Sequence, residues 1–176
     1  ALALTPDAPG LQAIKLVLDY RAATVKPDEA ARTQVADAAA ALLKTQADNQ
    51  ILRRIVIDRL VSGPDPQQAL PVIDAGLQQT PQRLDMQMLK LNLLAKSGDI
   101  AASGTQLKQM VVLFPDNAEI RTAMISWYMA QKDFAGAEAF LRKLAGEVTG
   151  PVEPHMAVVQ FLQASRGIDV AKAELD

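Results

Sequence analysis

The stretch that decides the fold is LNLLAKSGDIAASGTQL, residues 91–107. Apolar residues at helical spacing run up to Lys96, Ser97-Gly98-Asp99 interrupts them, and a second apolar run starts at Ile100. Glycine can adopt the left-handed backbone that closes a helix. An aspartate just behind it can accept bonds from the free N–H groups that open the next helix. The interruption is therefore a tight turn between two helices.

Working outward, the same signal returns at a fixed distance. Asp65, Asp99 and Asp133 stand 34 residues apart, with VSGPD and AQKD as the sister turns. The same step aligns Leu60, Leu94 and Tyr128; Ala69, Ser103 and Ala137; Ile73, Leu107 and Leu141; and Gly76, Met110 and Leu144. Pro81 and Pro115 also coincide, and proline ends a helix because it cannot continue one. Small residues at 69, 103 and 137 predict a close helix crossing. Asp65-Pro66-Gln67-Gln68 reads as an N-cap with proline at the first helical position. Beyond Leu144 the frame is expected to slip by about two residues through GEVTGP, so that Pro151, Asp169 and Ala173 take the proline, aspartate and small-residue places. Pro71, inside an expected helix, predicts a kink or a late start.

Apolar periodicity is helical throughout: Leu52, Ile55, Val56 and Leu60, then Met88, Leu91, Leu94 and Ala95, then Ile120, Met124, Ile125 and Tyr128. The fold class is all-α, an α-α superhelix (solenoid) of antiparallel helical hairpins. A lead-in over 1–10 precedes a hairpin at 11–49, with one helix over 11–24 and a second opening at KPDEA. Repeats follow at 50–83, 84–117 and 118–149, then a partial repeat at 150–176, all within one domain. The chain opens without Met or a charged leader and stops within IDVAKAELD, where Leu175-Asp176 is a poor cap for a stacked array. The expectation is a fragment or processed form whose end continues or packs on another chain.

Composition bounds the chemistry. At 176 residues, 49% hydrophobic and 22% charged, the chain suits a folded domain or a short repeat array. Its 18 basic and 20 acidic residues leave a net charge of −2, against the dense basicity that neutralises phosphates. Aromatics at 4% leave few platforms for stacking bases. Without cysteine there is no disulfide, thiolate nucleophile or Cys-based metal site. No apolar run approaches the roughly 20 residues that span a bilayer. The alanine-rich, cysteine-free composition points to a bacterial protein, placed in the periplasm ahead of the cytosol.

The segments LNLLAKSGDIAASGTQLKQMVVLFPDN and ISWYMAQKDFAGAEAFLRKLA together resemble the tetratricopeptide repeat (TPR) family. That pattern has a large residue late in the first helix, a Gly-Asp turn, a small residue early in the second and a closing proline. The resemblance covers residues 50–145, part of 154–176, and 8–49 only loosely. One departure is plain: the bulky residue usual early in the first helix is replaced by Arg53, Gln87 and Arg121.

Catalytic chemistry finds no foothold. His155 is the only histidine and reads as a surface residue. No serine sits in a G-x-S-x-G elbow, and the glycine-rich turns lack the lysine of a phosphate loop. Asp28-Glu29 opens a helix, where the macrodipole favours acids. Glu138 and Arg142 form an i,i+4 surface pair, Tyr128 occupies a core column, and Trp127 packs between neighbouring repeats. No catalytic, cofactor or metal site is expected.

What remains is surface. The resemblance implies a concave groove lined by first helices, receiving an extended peptide or a partner helix. Carried onto this chain, the partner-binding groove comprises Arg54, Asp58 and Ser62, then Met88, Asn92, Ala95 and Lys96, then Thr122, Ser126 and Met129. Asp58, Asn92 and Ser126 fall one step apart, which predicts a polar row, although a solvated face without a ligand is an equal reading. Arg54 and Lys96 do not reproduce the family's clamp for a C-terminal carboxylate. The expected function is a non-catalytic scaffold for protein or peptide partners within a larger bacterial assembly, with neither nucleic-acid binding nor membrane insertion. The alternatives are homo-oligomerisation through the C-terminal face, or an accessory domain of a larger protein.

Overall fold

The structure is a computed structural model that describes residues 9–26, 28–146 and 152–175. The chain forms helices α1 (Pro9–Val25), α2 (Glu29–Leu43) and α3 (Gln50–Val61), then a 3-10 turn (Pro66–Ala69) leading into α4 (Leu70–Gln79). It continues with α5 (Leu84–Lys96), α6 (Ile100–Leu113), α7 (Ala118–Ala130), α8 (Phe134–Ala145), α9 (Val152–Arg166) and α10 (Ile168–Ala173). No strand occurs among the described residues. The expected lead-in lies outside them apart from Pro9 and Gly10, which already belong to α1; Pro151 and most of GEVTGP lie outside them too.

The three turn aspartates do the same work. The Asp65 carboxylate accepts from the Gln67 N–H at 3.2 Å, Asp99 from Ala102 at 2.9 Å and Asp133 from Gly136 at 2.8 Å. Each satisfies an amide that the following helix leaves without a partner. The helix ends match as well. Gly98 and Asp99 donate to the carbonyls of Ala95 and Leu94, and Lys132 and Asp133 donate to those of Met129 and Tyr128. This nested pair of bonds needs a left-handed residue at its centre. Gly98 (φ 75°) and Lys132 (φ 56°) both adopt that geometry. Pro71 gives a late start rather than a kink: Asp65 caps one turn of 3-10 helix, and α4 proper begins at Leu70.

The 34-residue frame extends further than the sequence reading expects. Ala69, Ser103, Ala137 and Ala171 are all buried, one step apart. The expected slip does not occur in the last hairpin. Ala173 is exposed and Ala171 takes the small-residue place, while Gly167 (φ 94°) stands where Asp133 stands one repeat earlier. Asp169 misleads because it lies two residues inside α10, in the first turn, where an acid suits the helix dipole without capping it.

The chain divides into two compact units, Ala1–Ser103 and Gly104–Asp176, with the division falling inside α6. In the first unit, Ala13, Ala36 and Ala39 are fully or almost fully buried and let α1, α2 and α3 approach closely around Tyr20, Leu52, Ile55 and Val56. Ile57, Ile73, Leu77, Met86 and Leu93 continue the core from α3 to α5. In the second unit, Leu141, Ala145, Val158, Val159, Leu162 and Ala171 join α8, α9 and α10. Trp127 and Tyr128 are half-buried rather than enclosed, ring edge to face at 5.2 Å. The indole lies against Gly104, where any Cβ would overlap the ring.

The anomalous column of Arg53 and Gln87 is also structural. Both side chains are buried, at 2% and 4% exposure. Arg53 donates to the carbonyl of Ala47, and Gln87 donates to that of Pro81 at 2.7 Å. Donor and acceptor have both moved by one 34-residue step, so a buried polar side chain ties down two successive inter-repeat turns, while Arg121, the next of the column, is half-buried.

Candidate interaction groove

Two neighbouring troughs lie on the first-helix face of the first unit. One, of about 760 Å³, runs between α1 and α3; the other, of about 520 Å³, runs between α3 and α5. Ile51, Arg54 and Asp58 line both, because they recur at three- and four-residue spacing along one face of α3. The wall of the first trough is apolar and open to solvent: Ile14 is 50% exposed, Leu18 60%, Val25 81% and Ile51 45%.

Beneath that wall sits a polar cluster. The Tyr20 hydroxyl donates to Asp58 Oδ2 at 2.9 Å and accepts from Arg32 Nη2 at 3.3 Å, while the Arg32 guanidinium lies 5.5 Å from the Tyr20 ring centre. Burial pushes the Tyr20 phenol above its ordinary value. The Arg32 hydrogen bond works against that shift and the Asp58 carboxylate adds to it. Next to this cluster, Arg59 bonds Thr33 at 2.9 Å and pairs with Glu29 at 3.0 Å. Asp28 meanwhile caps α2 through the Ala31 N–H. The acidic pair Asp28-Glu29 thus serves the α2 start and the α2–α3 contact.

Charges around the troughs fall into engaged and unengaged groups. Arg83 holds Asp85 through two bonds, at 2.6 and 2.8 Å, and its hydrogen bonds keep the Asp85 carboxyl below its ordinary value. Asp58 is occupied by Tyr20. Arg21 and Arg54 line the α1–α3 trough, are exposed, and have no side-chain partner among the described residues.

Of the residues expected to form the groove, the structure places Arg54 and Asp58 on the trough walls. Ser62 is exposed and bonds back to the Asp58 carbonyl at 2.7 Å. On α5, Asn92, Ala95 and Lys96 are exposed and Met88 is half-buried; none of them lines either trough. Asn92 and Lys96 nevertheless continue the helical line of Asp85 and Leu89. In the second unit, Thr122, Ser126 and Met129 are exposed along α7. The helix expected over 11–24 is α1, but the sequence reading assigned it no part in the groove. The available signal was LQAIKLVLDY, whose apolar residues cover more than one face of a helix; one face meets α2 and α3, and Ile14 and Leu18 on the other stay in solvent.

His155 is half-buried on α9. Glu138 and Arg142 belong to a wider network than the expected pair, since Glu138 also holds Arg166 at 2.6 Å and Arg142 grips Glu174 of the α10 end. The C-terminal face carries exposed Ile168, Val170 and Leu175. Among the described residues, no group of three or more His, Cys, Asp or Glu side chains could hold a metal ion, and no helix is long and apolar enough to cross a membrane.

Solved structures of similar fold exist. MamA from residue 41 to its end, from Desulfovibrio magneticus RS-1, aligns with a TM-score of 0.58 at 13% identity, covering 96% of this chain and 93% of that one. A crystal structure of MamA protein aligns at 0.59 and 11% identity, covering 94% and 89%. The fold is TPR-like. TTC0263, a thermophilic TPR protein in Thermus thermophilus, aligns at 0.42 with 18% identity, over 87% of this chain and 91% of that one. No protein-family model matches the sequence, and no curated protein matches it. At these identities the likeness concerns the fold, and the reading of function rests on the surface of this chain.

Proposed function

We propose that the chain is a non-catalytic scaffold that captures a polypeptide segment on its first-helix face, with the trough between α1 and α3 as the principal seat. The carrying observation is the set of exposed aliphatic side chains from two helices, Ile14, Leu18 and Val25 facing Ile51, around an open trough of about 760 Å³. Contiguous exposed apolar surface rimmed by polar residues marks interaction sites. A groove between helices of this kind accepts the apolar face of a helical or extended segment. Arg54 and Asp58 supply the polar edge, and the α3–α5 trough extends the seat toward Asn92 and Lys96 on α5. In the second unit, the exposed residues Thr122, Ser126 and Met129 of α7 are assigned the same kind of role.

The test is fluorescence anisotropy with a labelled amphipathic peptide carrying a leucine face and neutral glutamines elsewhere. Saturable binding is expected, and Leu18→Ser with Ile51→Ser removes it while leaving the unfolding temperature nearly unchanged, because both side chains are exposed. Equal binding by the double variant, or no saturable binding by the intact chain, overturns this reading.

A further inference from the structure

We infer that the segment received between α1 and α3 is apolar on one side and acidic on the other, and that Arg21 and Arg54 are the groups that take its carboxylates. This deepens the polypeptide-capture reading and rests on it.

Arg21 from α1 and Arg54 from α3 line the same trough, both are exposed, and neither guanidinium has a partner among the described residues. The carboxylate on the same trough, Asp58, accepts through Oδ2 from the Tyr20 hydroxyl, which Arg32 holds from its other side, and pairs with neither arginine. Across α1, Asp19 is likewise paired with Lys15 at 2.6 Å. The chain as a whole carries a net charge of −2, yet the charged side chains lining this trough are two arginines against one carboxylate, an excess of one positive charge. An occupant with an apolar face alone would leave both guanidinium groups idle, and a basic occupant would meet them as like charges. A guanidinium presents a planar fork of donors that matches a carboxylate in two-point contact. The apolar wall and this small cationic pair favour an acidic polypeptide over a nucleic acid, which needs several phosphate contacts to bind tightly.

Three labelled peptides with one shared leucine face and Glu, Gln or Lys at the polar positions provide the test, titrated against the full chain at low and high salt. The Glu peptide is expected to bind about three- to tenfold more tightly than the Gln peptide at low salt, the range two exposed ion pairs supply. The Lys peptide should bind most weakly, and the spread should shrink at high salt. Arg21→Gln with Arg54→Gln should collapse the preference, and Arg21→Glu with Arg54→Glu should reverse its order. Equal affinity for the three peptides, or an order unaltered in the charge-reversed variant, overturns the inference and leaves polypeptide capture standing. Failure of all three peptides to bind overturns both.

Discussion

The guanidinium of Arg53 reaches back six residues to donate to the carbonyl of Ala47, from a position only 2% exposed to solvent. Its Nε and Nη1 find no acceptor, and burial pulls the group below its ordinary value, with Asp48 opposing that shift. The aliphatic stem packs against Gly76, so close that a Cβ there would stand 2.7 Å from the Arg53 Cδ. Arg53 therefore does two jobs with opposite energetic signs: its stem fills the core, and its head is partly unsatisfied.

Two substitutions separate those jobs. Arg53→Ala removes the packing and the turn bond together and should destabilise the first unit by about 2–4 kcal/mol, the range for emptying a core position. Arg53→Met keeps most of the stem and removes the buried charge, so its cost should be under about 1 kcal/mol or reversed in sign. Urea unfolding followed by far-UV circular dichroism reads both. Equal losses for the two variants would show that the turn bond, not packing, is what counts.

Equivalent turns should answer opposite substitutions. Lys132 holds φ 56° where Gly98 holds φ 75° one repeat earlier. Side chains in the left-handed region cost roughly 1–2 kcal/mol, partly offset by the extra freedom of unfolded glycine. Lys132→Gly should stabilise by about 0.5–1 kcal/mol, and Gly98→Ala should destabilise by about 1 kcal/mol. Thermal unfolding of the pair checks the signs, and matching signs would contradict the shared turn geometry.

The register of the last hairpin can be tested by size. Ala171 is 2% exposed and Ala173 is exposed. Ala171→Leu should overpack the contact with α9 and cost about 1–3 kcal/mol, whereas Ala173→Leu should lie within about 0.5 kcal/mol of the parent. The reverse result would restore the two-residue slip.

Acid should loosen the α10 end. Hydrogen bonds from Arg142 hold the Glu174 carboxyl below its ordinary value. A lowered folded value means the contribution is complete above the unfolded carboxylate's pKa of about 4.3 and is lost as the pH falls through the lower, folded value. The pair is partly exposed, so its worth is only about 0.5–1 kcal/mol. The stability difference between the parent and Glu174→Gln should hold at neutral pH and vanish at about pH 2–3. A difference independent of pH across that window would rule the ion pair out as its source.

Features governed by local sterics were legible in the sequence: Asp65, Asp99 and Asp133 as caps, Ala69, Ser103 and Ala137 as crossing points. A turn or a close approach admits few residue types, so identity at fixed spacing betrays it. The last hairpin was misread because Gly167 replaces the capping aspartate, and Asp169 offered a false match two residues on. Arg53 and Gln87 were noticed only as departures, since their acceptors are backbone carbonyls that no side-chain pattern reveals. The repeat positions of Arg54 and Asp58 were enough to put them on the trough-lining face of α3. The α1 wall was not, because apolar residues at 14 and 18 look the same in a sequence whether a neighbouring helix covers them or water does.

Trp127, set against Gly104, is the only indole in the chain, and it belongs to the second unit. Its emission is thus a native optical label for half the molecule, while circular dichroism sums over the whole. Denaturation curves from the two signals that overlay would mean the halves melt as one body; curves that part company would give each half its own midpoint without any dye or cut.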